Sequence, residues 1–354
     1  MAAASQSQAL APALLHWHRQ RGRHDLPWQQ HPTPYRVWVS EVMLQQTQVR
    51  TVIPYFQRFM QRFPDLRALA DAPMDEVLHH WSGLGYYSRA RNLHRAAQLA
   101  CAQHQGELPM TFDALHALPG IGRSTAGAIL ALSRGQRHAI MDGNVRRVLT
   151  RRFALEGVTG SAAMEKQLWA LADQCTPRAD VAIYTQAIMD LGATVCVRSQ
   201  PDCGQCPLCA DCRAFQTGRQ RQLPSPRRRA ARPERRVFML VARRGDGSIL
   251  LERRPERGIW GGLWSLPEFE SIEAAAHFSA QRLRAARLDA RVRPALRHAF
   301  THFELHLSPL VADCEGFAGV MDQAASLWYN AAAPERVGLP APIRTLIRNV
   351  TGNS

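Results

Sequence analysis

The sequence predicts a mainly α N-terminal domain followed by a smaller α+β domain. Apolar residues recur at helical spacing up to residue 194, and five closely spaced cysteines follow at 196–212. An Arg- and Pro-rich stretch comes next, and beyond it short apolar runs separated by turn residues are typical of strands. We therefore expect a helical domain at residues 1–218, a linker at 219–235 and an α+β domain at 236–354.

The composition is that of a globular protein with an acidic partner. The 354 residues are 46% hydrophobic, but no apolar run approaches the roughly 18 residues that a membrane helix needs. The N-terminus, MAAASQSQAL, lacks the basic segment of a signal peptide, so we expect a cytoplasmic, bacterial monomer without membrane contact. The net charge of +15 favours nucleic acid as the partner. Residues 219–236 hold eight Arg and one Glu, a run that also suits a solvated linker.

Helical and strand periodicity predict the order of elements. The predicted helices of the first domain span residues 8–21, 35–47, 53–62, 74–81, 89–104, 111–118, 123–133, 143–153, 161–174 and 179–194. The α+β domain is expected to contain one helix at 271–288 and strands at 237–241, 248–251, 295–307 and 310–313.

A helix-hairpin-helix is predicted at residues 113–133. Pro119-Gly120-Ile121-Gly122 separates two apolar helical faces, and both glycines free the backbone for positive φ and close approach. The helix that begins near Arg123 presents unpaired N–H groups and a positive dipole end, which together bind anions. In a basic chain this favours a phosphate-binding hairpin, although an ordinary αα-hairpin has the same pattern.

Two carboxylates are candidate catalytic groups. Asp142 precedes Gly143 at the start of a predicted helix, where its simplest role is that of an N-cap. A carboxylate beside a bound phosphodiester repels it. This position therefore indicates a second role for Asp142, which is to stabilise positive charge that develops on the sugar. Glu41 has apolar neighbours in its helix, and burial would raise its pKa and suit it to donate a proton. An exposed helical Glu would fit the same sequence.

The segment Gly83-Leu84-Gly85-Tyr86 combines two glycines with a Leu and an aromatic side chain. Such a loop suits insertion into a base stack. A packed turn between helices is an equally good interpretation of these residues.

Five clustered cysteines indicate a metal site, because a cytoplasmic chain rarely forms disulfides. One quartet has the spacing x6-x2-x5, and the other resembles a ferredoxin-type run. Zinc is an alternative to an iron–sulfur cluster for either quartet. The first quartet is Cys196, Cys203, Cys206 and Cys212, and the second is Cys203, Cys206, Cys209 and Cys212.

Together these motifs resemble the helix-hairpin-helix DNA glycosylase superfamily, and within it the MutY family of adenine DNA glycosylases. The resemblance covers nearly the whole chain, and its segments occur in the family's order: SEVMLQQTQV, GLGYYSRARNL, LPGIGRSTAGAI, MDGNVRRVL, QAIMDLG and the x6-x2-x5 cysteine loop. The C-terminal part resembles the family's Nudix-like domain. Residues 268–273 do not reproduce the R-E-x-x-E-E motif of Nudix hydrolases, so we expect recognition without phosphohydrolase activity.

The resemblance implies roles for five residues near the chemistry. Glu41 would be the general acid and base, and Asp142 would face the sugar. Ser124 and Asn144 would position Asp142 or the sugar, and Tyr86 would support the site. Bifunctional relatives carry a lysine at the position of Ser124, so the resemblance implies base removal without strand cleavage.

The resemblance also implies the substrate, the cofactor and the binding residues. The substrate would be double-stranded DNA with adenine opposite 8-oxoguanine or guanine, and the cofactor a [4Fe–4S] cluster on the first quartet, with Cys209 spare. Residues expected to touch DNA or bases are Leu44, Gln46 and Thr47 beside 8-oxoguanine, Trp28 and Gln186 in the adenine pocket, Leu84, Gly120 and Gly122 in the DNA-binding loops, and Phe300, Thr301 and His302 in the C-terminal domain. In the last group Thr301 stands where the family has Ser.

Two other functions remain open at this point. A thymine- or uracil-specific mismatch glycosylase of the same superfamily would carry the same cluster, although the Nudix-like domain argues against it. A non-catalytic iron–sulfur DNA-binding protein is the second, and the presence of both Glu41 and Asp142 argues against that.

Overall fold

The computed structural model describes residues 10–225, 231–284, 286–289, 291, 293–318, 322, 325–332 and 336–351. The chain divides into two compact units, Met1–Asp71 with Asn92–Arg229, and Ala72–Arg91 with Ala230–Ser354. The second unit thus includes a segment that we had placed in the first domain. The predicted linker residues 226–230 lie outside the described residues.

Helices make up the first unit, as predicted. They are α1 (Leu10–Arg21), α2 (Pro34–Leu44), α3 (Val49–Arg62), α4 (Leu66–Ala70), α6 (Ser88–Gln103, which begins in the second unit), α7 (Phe112–His116), α8 (Arg123–Arg134), α9 (Gly143–Arg152), α10 (Ala162–Cys175), α11 (Val181–Thr194) and α12 (Arg213–Gln216). The short helices α4 and α12 were not predicted.

Local sequence signals account for the bounds of α2 and α8. The Thr33 hydroxyl caps α2 by accepting a hydrogen bond from the Arg36 N–H at 3.3 Å, and Pro34 occupies the first turn, where its missing N–H costs nothing. Helix α2 ends at Leu44, three residues before the predicted end, and Gln46 then adopts a left-handed conformation with φ of 59°. Helix α8 ends at Arg134, and its C-cap Gly135 adopts the left-handed conformation with φ of 64°.

A hydrophobic core joins α1, α9, α10 and α11. Leu14, Leu149, Leu168 and Leu191 are fully buried within it. Burial of each such side chain stabilises the fold by roughly 1.5–3 kcal/mol. This core holds the start of α9, which carries Asp142, at a defined place relative to α11.

Helices α9 and α11 approach each other closely at Gly192. A methyl group built at this glycine would lie 2.5 Å from Cβ and 3.0 Å from Cα of Asn144. Only a residue without a side chain fits there. The close approach places the backbone of α11 beside the first turn of α9.

The second unit contains a mixed β-sheet and flanking helices. Its elements are α5 (Met74–Trp81), β1 (Glu234–Arg243), β2 (Ile249–Arg253), β3 (Trp264–Ser265), β4 (Glu268–Phe269), α13 (Ile272–Arg282), β5 (Leu283–Arg284), β6 (Arg287–Asp289), β7 (Leu296–Ala299), β8 (Glu304–Asp313), β9 (Gly316–Phe317), β10 (Ser326–Tyr329) and α14 (Ala341–Thr351). The central order is β10-β2-β1-β8-β6, and β1 runs parallel to β8 over their whole length.

The structure corrects three predictions for this unit. The strand predicted at 295–307 is two antiparallel strands, β7 and β8, joined by a loop at 300–303, and β8 continues through the separate strand predicted at 310–313. The helix predicted at 271–288 ends at Arg282, where the chain enters β5. Helix α14 was not predicted.

Segment 72–91 packs against the C-terminal end of its own unit. The Leu339 N–H donates to the Ser82 hydroxyl at 3.3 Å, and the Tyr87 hydroxyl donates to the Leu339 carbonyl at 3.4 Å. A methyl group at Gly338 would lie 2.7 Å from Cβ of Leu78 in α5. These contacts explain why residues so distant in sequence form one compact unit.

Across the described residues, no helix is both long and apolar enough to span a membrane.

Replacement of Gly192 by Ala is expected to destabilise the helical unit. Overpacking against Asn144 costs roughly 1–3 kcal/mol, which offsets or exceeds the gain of about 1 kcal/mol from helix propensity. Gly143→Ala is the matched control, because a methyl group there meets nothing within 4 Å. Urea unfolding monitored by circular dichroism should give Gly192→Ala the lower midpoint of the two, and equal midpoints would contradict the close packing.

Candidate active site

Helix α2 presents Glu41 to the start of α9. Gln45, the C-cap of α2, donates to the Thr125 hydroxyl of α8 at 3.4 Å, which connects the two helices. Glu41 is half-buried. Burial and the nearby charge of Asp142 raise its pKa to about 8. The Glu41 carboxyl is therefore mostly protonated at neutral pH, and the alternative of an ordinary exposed Glu is wrong.

Asp142 caps α9, as its sequence position predicted. Its carboxylate accepts hydrogen bonds from the Val145 N–H at 2.7 Å and from the Asn144 side-chain amide at 3.1 Å. Burial raises the pKa of Asp142, while these hydrogen bonds and the charge of Arg147 oppose the shift. Burial and the second carboxyl both act to keep Glu41 protonated, whereas hydrogen bonds stabilise the charged form of Asp142. The pair thus consists of a carboxyl that keeps its proton and a second carboxyl whose hydrogen bonds offset part of the cost of burying its charge.

Ser124 holds the chain just before Asp142. Its hydroxyl accepts a hydrogen bond from the Met141 N–H at 2.9 Å. Because Ser124 lies in the first turn of α8, this bond connects the hairpin helix to the residue preceding the carboxylate. The structure therefore brings Glu41, Ser124, Asp142 and Asn144 together.

A chain of hydrogen bonds connects Asp142 to the cysteine loop. The Asn144 side-chain oxygen accepts from Arg147 at 2.8 Å, and the same guanidinium donates to the carbonyls of Cys196 and Gly192, both at 2.6 Å. Sequence analysis did not single out Arg147, since an Arg on a helix near basic neighbours has no distinguishing pattern. The contacts make it the link between the carboxylate and the first cysteine of the loop.

A cavity of about 310 Å³ opens beside α2 and α11. Trp28 and Gln186, which the sequence predicted to face a base, both line it and are 6% and 9% exposed. Ser40 of α2, adjacent to Glu41, also lines it. The remaining lining residues are His18, His24, Gln29, Pro32, Val37, Leu132, Ala182 and Ile183. The cavity is concave and largely apolar, with a few polar groups, which suits a flat heterocycle.

The hairpin has the predicted backbone conformation at one glycine but not at the other. Gly120 has φ of 77°, and a methyl group there would lie 2.8 Å from Cβ of Asn92. Gly122 has φ of −81°, so the expectation of positive φ is wrong for it. As the N-cap of α8 it faces open space, which leaves the helix N–H groups accessible. Arg123 stacks over the Trp169 ring at 3.9 Å.

The loop after α2 contains three further candidates. Leu44 ends the helix, Gln46 is exposed in its left-handed conformation, and the Thr47 hydroxyl lies 3.4 Å from the Gln45 carbonyl. A left-handed residue turns the chain sharply away from the helix axis. The three side chains therefore follow directly on the helix that carries Glu41.

Cysteines 196, 203, 206, 209 and 212 line one small cavity together with Arg151. Burial raises the pKa of Cys203, Cys206 and Cys212, that of Cys206 to about 12. Several thiols in one place need a cation to become thiolates, so the donor set of this loop fits a metal centre.

Arg151 of α9 contacts the start of the cysteine loop. It is buried, and it donates to the sulfur of Cys196 at 3.3 Å, the carbonyl of Val197 at 2.7 Å and the carbonyl of Arg198 at 3.0 Å. Hydrogen bonds to a sulfur stabilise its thiolate form. Helix α9 thus contacts the loop through both Arg147 and Arg151.

The predicted loop residues of the second unit differ in exposure. Tyr86 has φ of 46° and is 47% exposed, and its hydroxyl lies 3.3 Å from the Thr301 hydroxyl. Leu84 is only 6% exposed, so it packs beneath the loop instead of protruding, and its contact with DNA stays a prediction. Arg89 lies over the Tyr86 ring, at 5.7 Å.

Packed aromatic side chains support the loop between β7 and β8. Phe300 stacks on Phe303 with ring centroids 4.6 Å apart and contacts Trp260 at 5.7 Å. Thr301 and His302 at the tip are exposed. The three residues predicted for this loop therefore comprise one anchored ring and two accessible polar side chains.

Comparison with known proteins agrees with these features. The family model for the HhH-GPD superfamily base excision DNA repair protein matches residues 39–174, and the model for the NUDIX domain matches residues 238–349. The solved structure of a thermostable thymine-DNA glycosylase covers 60% of this chain and 98% of its own, with a TM-score of 0.54 and 24% identity, a similarity of fold.

Curated relatives extend over nearly the whole chain. The adenine DNA glycosylase of Buchnera aphidicola subsp. Acyrthosiphon pisum (strain APS) is 35% identical over 342 residues, which cover 96% of this chain and 97% of that protein. The adenine DNA glycosylase of Homo sapiens is 38% identical over 312 residues, covering 73% of this chain and 57% of that protein. The predicted resemblance and fold class are confirmed: this chain belongs to the adenine DNA glycosylase family, with a helical HhH-GPD domain and a C-terminal NUDIX domain.

Proposed function

We propose that this chain is a monofunctional DNA glycosylase that hydrolyses the N-glycosidic bond of adenine mispaired with 8-oxoguanine or guanine. The observation that carries the proposal is the pair of carboxyl groups, in which Glu41 has a pKa of about 8 and Asp142 accepts hydrogen bonds from the Val145 N–H and the Asn144 amide. Base removal needs both an acid for the leaving group and a negative charge for the sugar. The family supplies the substrate class, and this pair supplies the chemistry.

The two carboxyls divide the reaction between them. Glu41 transfers its proton to N7 of adenine, and the bond between the base and C1′ breaks with its electrons leaving on the neutral base. Asp142 stabilises the positive charge that this leaves on the sugar. Water then adds to C1′, and its proton passes to the Glu41 carboxylate, which restores the starting state. The division matches the two-carboxylate logic of glycoside hydrolysis.

Ser124 limits the chemistry to hydrolysis. Its hydroxyl is engaged with the Met141 N–H and offers no amine that forms a Schiff base with the sugar. Lys166, the one lysine of the chain, lies on α10, away from the hairpin motif in sequence. Adenine release is therefore proposed to leave the DNA strand intact.

Adenine reaches these groups by leaving the duplex, which costs a few kcal/mol and less for a mispaired base. The 310 Å³ cavity with Trp28 and Gln186 is proposed to accept it. The N-terminus of α8 is proposed to bind a phosphate, since Gly122 leaves its N–H groups open and the chain is strongly basic. We infer a monomer acting on chromosomal DNA in the bacterial cytoplasm.

Recognition of the opposite base is assigned to two groups of side chains. Leu44, Gln46 and Thr47 follow the helix of Glu41, and Thr301 and His302 are exposed on the loop of the second unit. Guanine and 8-oxoguanine differ by an oxygen at C8 and a proton at N7, so a few polar contacts suffice to distinguish them. The Thr301 hydroxyl, which the family has as Ser, is proposed to make one of these contacts.

A [4Fe–4S] cluster is proposed on Cys196, Cys203, Cys206 and Cys212. When bound, the cluster supplies the positive charge that stabilises four thiolates and cross-links the loop after α11. Arg151 orients the first of these ligands by its hydrogen bond to the sulfur. The cluster has no part in the hydrolysis, which the two carboxyls complete.

Base release from defined duplexes tests the proposed function. Single-turnover assays should show release of adenine opposite 8-oxoguanine and guanine, but no release of adenine opposite thymine and none of thymine opposite guanine. Asp142→Asn is the matched control, since Asn keeps the capping oxygen but not the charge, and it should bind the mismatch without releasing adenine. Release of thymine alone would favour the pyrimidine-specific alternative, and release of neither base would favour a non-catalytic protein.

The rate of adenine release is expected to fall as pH rises through about 8. The folded-state pKa of Glu41 is raised, so the protonated donor is present at neutral pH and is lost above that pKa. Each further pH unit should then lower the rate about tenfold. Glu41→Gln should release adenine roughly 10²- to 10⁴-fold more slowly, without this alkaline fall. A wild-type rate that stays level well above pH 8 would remove Glu41 as the acid.

Cys196→Ser should lose the cluster, and Cys209→Ser should keep it. Cys196 completes the x6-x2-x5 spacing and its sulfur accepts a hydrogen bond from Arg151, whereas Cys209 lies outside that spacing. Iron content and visible absorbance of each purified variant measure the difference. A colourless Cys209→Ser protein would reverse the choice of ligand, and stoichiometric zinc in the wild type would replace the cluster altogether.

A further inference from the structure

Behind the base-sized cavity lies a buried carboxylate to which the proposed reaction assigns no role. Asp190 follows Gln186 by one turn of α11 and is 0% exposed. Its Oδ1 accepts from the side-chain amide of Gln186 at 2.8 Å and from Nε of Arg23 at 2.9 Å. Its Oδ2 accepts from the Arg23 backbone N–H at 2.8 Å and lies 3.3 Å from Nε2 of His18. A buried carboxylate that accepts this many hydrogen bonds is held in a fixed position next to Gln186.

These donors keep Asp190 ionised. Burial acts to raise its pKa, but the hydrogen bond with His18 and the charge and hydrogen bonds of Arg23 outweigh burial and lower it. An ionised carboxylate can only accept hydrogen bonds. The contact at 2.8 Å therefore requires that Gln186 present its NH₂ group to Asp190.

The NH₂ end of the Gln186 amide is thereby committed to Asp190, which leaves Oε1 as the end that can accept from a ligand. Gln186 lines the cavity, and no residue in the described part of the chain donates a hydrogen bond to its Oε1. The cavity thus offers a hydrogen-bond acceptor at this point. Adenine carries a donor, the amino group, at C6, whereas guanine and hypoxanthine carry an acceptor oxygen there.

We propose that Asp190 is a positioning residue that fixes the orientation of the Gln186 amide and so makes the cavity selective for purines with an amino group at C6. The inference rests on the proposed adenine glycosylase function and names what decides its base preference. A site that turned the amide around would place an NH₂ group in the cavity and favour an oxygen at C6. Arg23 and His18 serve the orientation indirectly, because they keep Asp190 charged.

Excision of three bases opposite 8-oxoguanine tests the inference in the full-length protein. At C6, adenine carries an amino group that donates hydrogen bonds, hypoxanthine carries an oxygen that accepts them, and purine carries only a hydrogen atom. In Asp190→Asn the new side chain both donates and accepts, so the Gln186 amide is free to turn. Single-turnover rates should show the adenine-to-purine ratio falling roughly 10- to 100-fold from the wild-type ratio, while the hypoxanthine-to-adenine ratio rises. Each ratio is taken within one variant, so it does not depend on how much of the protein is folded.

Gln186→Leu separates an effect through Gln186 from general damage to the site. This variant lacks the amide, so its adenine-to-purine ratio should fall to a similar extent, and adding Asp190→Asn should change that ratio no further. The inference is wrong if Asp190→Asn keeps the wild-type ratio, or if it lowers the ratio equally in the Gln186→Leu background. If wild-type protein releases no adenine at all, the proposed function fails before the role of Asp190 is reached.

Discussion

The helical unit is organised around two carboxyl groups that are held close together in a partly buried place. Burial and mutual repulsion both disfavour charge on the pair, so the protein has to compensate at one of the two positions. It does so at Asp142, with the Val145 N–H and the Asn144 amide, and leaves Glu41 to keep its proton. The hairpin, the cap of α9 and the contact between Gln45 and Thr125 all hold the backbone around this pair. Two carboxyl groups of similar intrinsic pKa thus differ in what surrounds them, since hydrogen-bond donors are supplied to Asp142 and Glu41 keeps its proton.

Helix α9 transmits this constraint to the cysteine loop. Its first turn holds Asp142 and Asn144, its second turn carries Arg147, and Arg151 follows one turn later. Arg147 donates to the carbonyls of Gly192 and Cys196, and Arg151 donates to the sulfur of Cys196 and to the carbonyls that follow it. If the loop moved, the Cys196 carbonyl that accepts from Arg147 would move with it. Arg147 in turn donates to Asn144, the residue that donates to Asp142. The loop and the carboxylate are parts of one hydrogen-bonded structure.

Local sequence signals accounted for most of the helical unit and its catalytic groups. Caps, glycines and helical periodicity are encoded within a few residues, so the hairpin, Asp142 and the cysteine spacing could be identified directly. Asp190 could not, because its donors Arg23 and His18 come from the other end of the unit and only folding brings them together. The break at 300–303 in the strand predicted over 295–307 is not visible in the apolar pattern, because Phe300 and Phe303 continue that pattern without Gly or Pro; only the family resemblance indicated a loop there. The inclusion of segment 72–91 in the second unit rests on contacts between residues more than 200 positions apart, such as Ser82 and Leu339.

The hydrogen bond from Met141 to Ser124 bears on how enzymes of this superfamily diverge in chemistry. An amine at position 124 would stand where bifunctional relatives have theirs, but it would leave the Met141 N–H without its acceptor. Loss of a partner for a part-buried backbone donor costs about 1–3 kcal/mol. In this chain, an amine at position 124 therefore requires another acceptor for that amide. Position 124 thus bears on the stability of the backbone before Asp142 as well as on which reactive group faces the site.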